Sequence, residues 1–308
     1  MVTIIVSILP VFIVVTLGSL LRRLSFVEQP FFKVSDRLVY FIFFPAMLFW
    51  KIGNPASAAH INWNLNLAVI SSVFTIYLIS LIMAKLSGMS AYQVGSFSQC
   101  CYRFNTYIGM AVVIGIYSEQ EVRIFGLIIA FAIPFINLLA VSTLIWFSRN
   151  SYSSNEKLRF LLRAVISNPL IIACLAGLAY SKLGWGFPLF LNNTFALLSS
   201  VTLPLALLSI GNSLTVSGLR GNLVPAMTAA FCKLLALPLV GYFFLRTFNV
   251  EGIYLKVAII FFILPTSTAI YILSGQLDSD IELASAGILV STLLSMVSLC
   301  TGLLLLSA

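Results

Sequence analysis

The chain has very little charge and almost no acid. Only 8% of its 308 residues are charged, against the quarter or so that keeps a soluble domain wet. Just nine are Asp or Glu, and Asp36, Glu119, Glu121, Asp278, Asp280 and Glu282 all stand at the ends of apolar runs rather than within them. That disfavours pumping through a buried aspartate relay, and a sodium site would have to be built from neutral oxygens. The single histidine, His60, lies in a loop. There is no His-Glu-x-x-His, no Gly-rich nucleotide loop with its Lys and no intramembrane Asp pair, so no enzyme is expected. Five cysteines (Cys100, Cys101, Cys174, Cys232, Cys300) fall inside apolar segments without zinc-ligand spacing. They read as small hydrophobes, with no disulfide framework, metal or cofactor expected. The net charge of +8 is scattered through short loops, which argues against nucleic acid as a partner.

What the chain has is apolar surface: 60% of residues are hydrophobic and the mean hydropathy is +1.08. A spanning helix needs about 20 mostly apolar residues. Ten segments qualify: 2–21, 31–50, 64–84, 93–117, 123–147, 164–182, 188–212, 224–245, 253–276 and 283–306. The runs are continuous, and too long for barrel strands. The partner is therefore a lipid bilayer, expected to be the inner (plasma) membrane. The N-terminal run lacks the basic start of a signal peptide and reads as the first span. With the N-terminus outside, ten Lys and Arg fall in cytoplasmic loops and five outside, so both termini are expected outside. The linker 148–163 is then cytoplasmic, a polar tether and orientation signal between halves 1–149 and 150–308.

Pro10, Gly18 and Pro45 recur at one common offset as Pro169, Gly177 and Pro204, and the same offset carries Glu121 onto Asp280 and Thr106 onto Pro265. Two halves of five spans each therefore follow one plan, and an odd number of crossings makes the repeat inverted. Such repeats build alternating-access transporters with the substrate site where the repeats meet.

Two segments carry the chemistry. The fourth span holds Gln99, Arg103, Asn105, Thr106 and Tyr107 in its middle. A charge at that depth costs about 2.5–3.5 kcal/mol on insertion scales. Arg103 admits two readings: a structural cap on broken-helix carbonyls, or a counter-ion for an anionic substrate. The ninth span reads Pro265-Thr266-Ser267-Thr268. A proline there frees backbone groups, and the repeat register sets it beside the polar patch of the fourth. Two broken helices crossing at mid-bilayer would aim their half-helix N-termini at one anion. Lys233, within the eighth span, is read either as a donor to unwound carbonyls or as a substrate or proton-coupling group. Asn212 is a candidate for the substrate path, and Pro45 and Pro204 are candidate hinges or local bends. Arrangement and composition favour passive or potential-assisted movement of an anion.

The stretches Leu38–Phe49 around Pro45, Arg103–Gly109, Ser167–Leu170, Leu203–Leu207 with Ile210–Leu214, Lys233–Pro238 and Leu264–Thr268 together resemble the auxin efflux carrier family, bacterial members and plant PIN-type auxin transporters alike. The resemblance covers nearly the whole chain. It implies an all-α polytopic membrane protein of ten transmembrane helices in two inverted five-helix repeats, with crossed, broken helices 4 and 9. It also implies a scaffold domain from helices 1, 2, 6 and 7, a transport domain from 3–5 and 8–10, a homodimer through the scaffold, and an elevator-type movement. Ala111 stands near the place where members commonly carry a proline, and Thr268 or Ala269 where many carry an asparagine, so auxin itself is not implied. Bacterial relatives point to dicarboxylates such as malonate or malate. The expectation is a secondary transporter of a small organic anion, a mono- or dicarboxylate. The competing reading is a ligand-binding membrane receptor or channel-like sensor without coupled transport.

Overall fold

The computed structural model describes residues 2–54, 61–148 and 153–307; His60 and linker residues 149–152 lie outside the described residues. Every regular element among the described residues is helical, as lipid requires of an open chain that must satisfy its own backbone. In order they are α1 (Val2–Arg23), α2 (Gln29–Leu38), α3 (Phe44–Gly53), α4 (Trp63–Leu86), α5 (Ala91–Tyr102), α6 (Thr106–Ile116), α7 (Glu119–Phe147) and α8 (Ser154–Ile166). Then follow α9 (Pro169–Lys182), α10 (Leu189–Ser213), α11 (Leu223–Phe231), α12 (Leu237–Thr247), α13 (Gly252–Ile263), α14 (Ala269–Gln276) and α15 (Ile281–Ser307). Five stretches among the described residues are long and apolar enough to cross a membrane: α4, α7, α10, the run Leu223–Thr247 and α15.

Several of the runs are interrupted, and proline accounts for three interruptions. α2 passes into α3 through a π turn, Val39–Phe43, and α11 into α12 through another, Cys232–Ala236. Each π turn is followed two residues on by a proline, Pro45 and Pro238. A proline removes the N–H that the i→i−4 bond needs, and a one-residue slip of the ladder accommodates the loss without ending the helix. Pro265 acts more severely. The residue before it, Leu264, is extended (φ −68°, ψ 150°), the conformation a following proline imposes, and α13 ends there.

The chain forms two compact units. The first comprises Met1–Ile61, Tyr107–Phe131 and Ile166–Ser213; the second comprises Asn62–Thr106, Ala132–Val165 and Leu214–Ala308. Each collects helices from both halves of the sequence. In the first unit α1 and α10 approach closely enough that a Cβ on Gly18 would overlap the Leu208 carbonyl oxygen, and one on Gly211 the Val15 carbonyl oxygen. Phe49 in the middle of α3 packs on Tyr180, Phe187 and Phe195. In the second unit α5 is buried over most of its length, and its Cys100 lies against Gly287 of α15.

The linker is not uniformly irregular: Ser154–Ile166 is α8. A reciprocal capping box starts it, in which Ser153 N and Oγ each donate to Glu156 Oε2 at 2.8 Å and Glu156 N donates to Ser153 Oγ at 3.3 Å.

Candidate functional site

The second unit holds two helix interruptions, and they touch. α5 stops at Tyr102, and Arg103 is extended (φ −69°, ψ 138°). α6 starts at Thr106, leaving Arg103, Phe104 and Asn105 outside regular structure. Opposite, Leu264 to Thr268 separate α13 from α14. Asn105 N donates to the Pro265 carbonyl at 2.9 Å. The Thr266 hydroxyl donates to the Cys100 carbonyl at 3.0 Å. Phe104 stacks at a tilt on Phe261, ring centroids 4.1 Å apart.

Breaking two helices inside an apolar unit leaves buried carbonyls and N–H groups that need partners. Side chains from neighbouring helices meet that need. Lys233, fully buried, donates Nζ to the Phe262 carbonyl at 3.0 Å. Ser298 Oγ donates to the Ile263 carbonyl at 3.4 Å, and Thr266 N donates to Ser291 Oγ at 3.1 Å. Ser267 Oγ accepts from Ala269 N at 3.3 Å at the start of α14.

Arg103 is 8% exposed. Its guanidinium donates to Gln99 Oε1 at 3.2 Å and to Asn137 Oδ1 at 3.1 Å. Both acceptors are neutral amides, and none of the nine carboxylates is buried. Neutral amides orient a guanidinium without cancelling its charge. Gln99 is itself fixed by donating Nε2 to the Gly95 carbonyl at 3.1 Å. The arrangement is therefore a positively charged group held in place inside an apolar unit, beside two helix ends.

Of the residues singled out in the sequence, the structure brings Gln99, Arg103, Asn105, Thr106, Lys233, Pro265, Thr266, Ser267 and Thr268 into the second unit. Thr106, Ser267 and Thr268 remain partly exposed, whereas Thr266 is buried and its hydroxyl is engaged on backbone. Tyr107 and Asn212 belong to the first unit. There the Tyr107 ring meets Phe44 edge-on at 4.8 Å. Arg22 Nη1 donates to the Asn212 carbonyl at 2.8 Å, and Gln29 Nε2 to its Oδ1 at 3.4 Å. Sequence reasoning missed Asn137. A single amide in the apolar run Phe135-Ile-Asn-Leu-Leu139 was the available signal.

The family model described as "Membrane transport protein" matches residues 3–301. A protein of Methanothermobacter thermautotrophicus, named "Uncharacterized transporter", is 26% identical over 95% of each chain. Another of that description, from Methanocaldococcus jannaschii, is 23% identical over 94% of each. A "Putative malonate transporter" of Rhizobium meliloti is 32% identical over 149 residues, 46% of this chain and 44% of its own length.

Proposed function

Since the chain belongs to the membrane transport protein family, which takes in the auxin efflux carriers, we propose that it is a secondary transporter of a small organic anion, a mono- or dicarboxylate. It is a multi-pass membrane transporter, not an enzyme. The observation that carries the anion reading is Arg103, buried at the touching helix breaks and held by two neutral amides. Similarity over part of the chain to a protein named as a malonate transporter supports the same class.

In this reading the substrate carboxylate meets the Arg103 guanidinium, with Asn105, Thr106, Ser267 and Thr268 supplying neutral donors. Thr106 and Thr268 open α6 and α14, whose N-terminal N–H groups favour an anion. Pro265, Thr266 and Lys233 keep the backbone crossing in shape. The ten spans form two inverted repeats in the inner membrane with both termini outside. The third to fifth and eighth to tenth spans form the transport domain, which carries the substrate across the bilayer in an elevator movement. The first, second, sixth and seventh spans form the scaffold of a homodimer.

The test is uptake of labelled malonate into vesicles reconstituted with the purified protein under an imposed membrane potential. A hydrogen bond to a charged group contributes about 1.5–3 kcal/mol. Arg103→Ala is therefore expected to lower the flux by about 10- to 100-fold. Unchanged flux and voltage dependence would remove Arg103 from the substrate site.

A further inference from the structure

α8 has no part in the site, and its surface asks for an explanation. On a helical projection Leu158, Leu161 and Leu162 share one arc, with Lys157 and Arg159 on its two flanks. Leu161 packs against Val141, Leu144, Ile145 and Leu277 of the second unit. Leu158 and Leu162, on the same apolar arc, are 56% and 48% exposed. Lys157 and Arg159 are exposed as well. A helix with one flank of its apolar face on protein and the other bare needs a covering.

Three observations point to the same covering. α8 lies between the end of one apolar helix, Phe147, and the start of the next, Pro169, with only Ser167 and Asn168 between α8 and α9. Its C-terminus is thereby held at the level where spans end. Trp146, at the close of α7, is 82% exposed. Exposed tryptophans at span ends sit at the headgroup level of a bilayer, where an amphipathic ring has both an apolar body and a wet edge. The linker sequence carries Arg149, Lys157, Arg159 and Arg163 against a single Glu156, on the side that the balance of Lys and Arg makes cytoplasmic. Anionic phospholipids attract basic segments at that surface.

We propose that α8 is an interfacial helix that binds anionic phospholipid headgroups on the cytoplasmic face. Leu158 and Leu162 enter the acyl boundary, while Lys157 and Arg159 engage phosphates. The second unit thus carries its own lipid contact, outside the helices that cross. The assignment rests on membrane insertion alone and stands whether or not the substrate is an anion.

Single spin labels at positions 156, 158, 160 and 162 of the full chain, in a background with the five cysteines replaced, test it. The protein is reconstituted in phosphatidylcholine vesicles with and without about a third phosphatidylglycerol, a composition in which each basic residue near the surface strengthens attachment about fivefold. Labels at 158 and 162 are expected to collide with oxygen rather than with an aqueous nickel chelate, more so in the anionic vesicles, and labels at 156 and 160, on the opposite face, the reverse. As a second reading, Lys157→Glu with Arg159→Glu in the otherwise native chain should abolish any rise in thermal midpoint on adding phosphatidylglycerol, with the midpoint in phosphatidylcholine unchanged. Water access at all four positions with no lipid dependence would overturn the proposal. So would labels at 158 and 162 shielded from both probes, the mark of a protein partner such as a second copy.

Discussion

In the first unit helices close on one another through missing side chains; in the second, side chains repair broken backbone. α1 and α10 meet at Gly18 and Gly211, each facing a carbonyl of the other helix. Such contacts let dispersion act between backbones, the principal attraction available where lipid is as apolar as leucine. The second unit has two severed helices whose open ends are met by Lys233, Thr266, Ser291 and Ser298. Close backbone packing tolerates no new atom, whereas a repaired break tolerates change where a partner can be replaced. One unit is thus built to hold shape, and the other to place polar groups at depth.

Replacing Gly211 with Ala sets a methyl group onto the Val15 carbonyl, which neither helix can yield cheaply. Overpacking costs about 1–3 kcal/mol where side chains give way, and backbone on backbone belongs at or above the top of that range. The largest drop in thermal midpoint is expected from this variant, measured in detergent. A negligible drop would erase the contrast between the units. Lys233→Met keeps the volume and removes the donor to the Phe262 carbonyl. Leaving that buried acceptor unpaired costs about 1–3 kcal/mol, so a smaller midpoint loss is expected, with labelled-malonate binding retained. Binding lost at an unchanged midpoint would instead make Lys233 a substrate or coupling group.

The smallest effect belongs to α8. The N–H and hydroxyl of Ser153 bond the Glu156 carboxylate and hold its pKa below the usual carboxylate value. A depressed folded pKa contributes stability above the unfolded value, lost as pH falls through the folded one. Protection factors in the first turn of α8, taken against the intrinsic exchange rate at each pH, should therefore fall on acidification through that lowered range, and Glu156→Gln should remove this dependence. Exchange independent of pH-linked opening in the native chain would show that the capping box carries nothing.

Much of this was legible before any coordinates. Span lengths follow from apolar runs: the expected 188–212 is the observed Leu189–Ser213, and 64–84 is Trp63–Leu86. The break at Pro265 follows from its chemistry. The break at Arg103 has no proline. Its polar residues mark it instead: Arg103 and Asn105 lie within it and Thr106 at its end. What ends α5 early is contact with another helix, through Asn105 N and the Pro265 carbonyl, which a linear pattern does not encode. The partner of Lys233 and the place of Asn137 were hidden for the same reason. The π turns had a readable signal in Pro45 and Pro238, though proline alone does not distinguish a slipped ladder from a bend. The linker's polar composition masked the short apolar face of α8.

The transport reading rests on the positive charge of Arg103. Asn137→Asp tests it most directly, because the substitution puts a carboxylate where a neutral oxygen now stands 3.1 Å from the guanidinium. The expected result is malonate flux in vesicles as low as that of Arg103→Ala, at a thermal midpoint equal to or above that of the unaltered protein. Flux at the full native rate with the fold intact would contradict the account, since the site would then work with its positive charge neutralised.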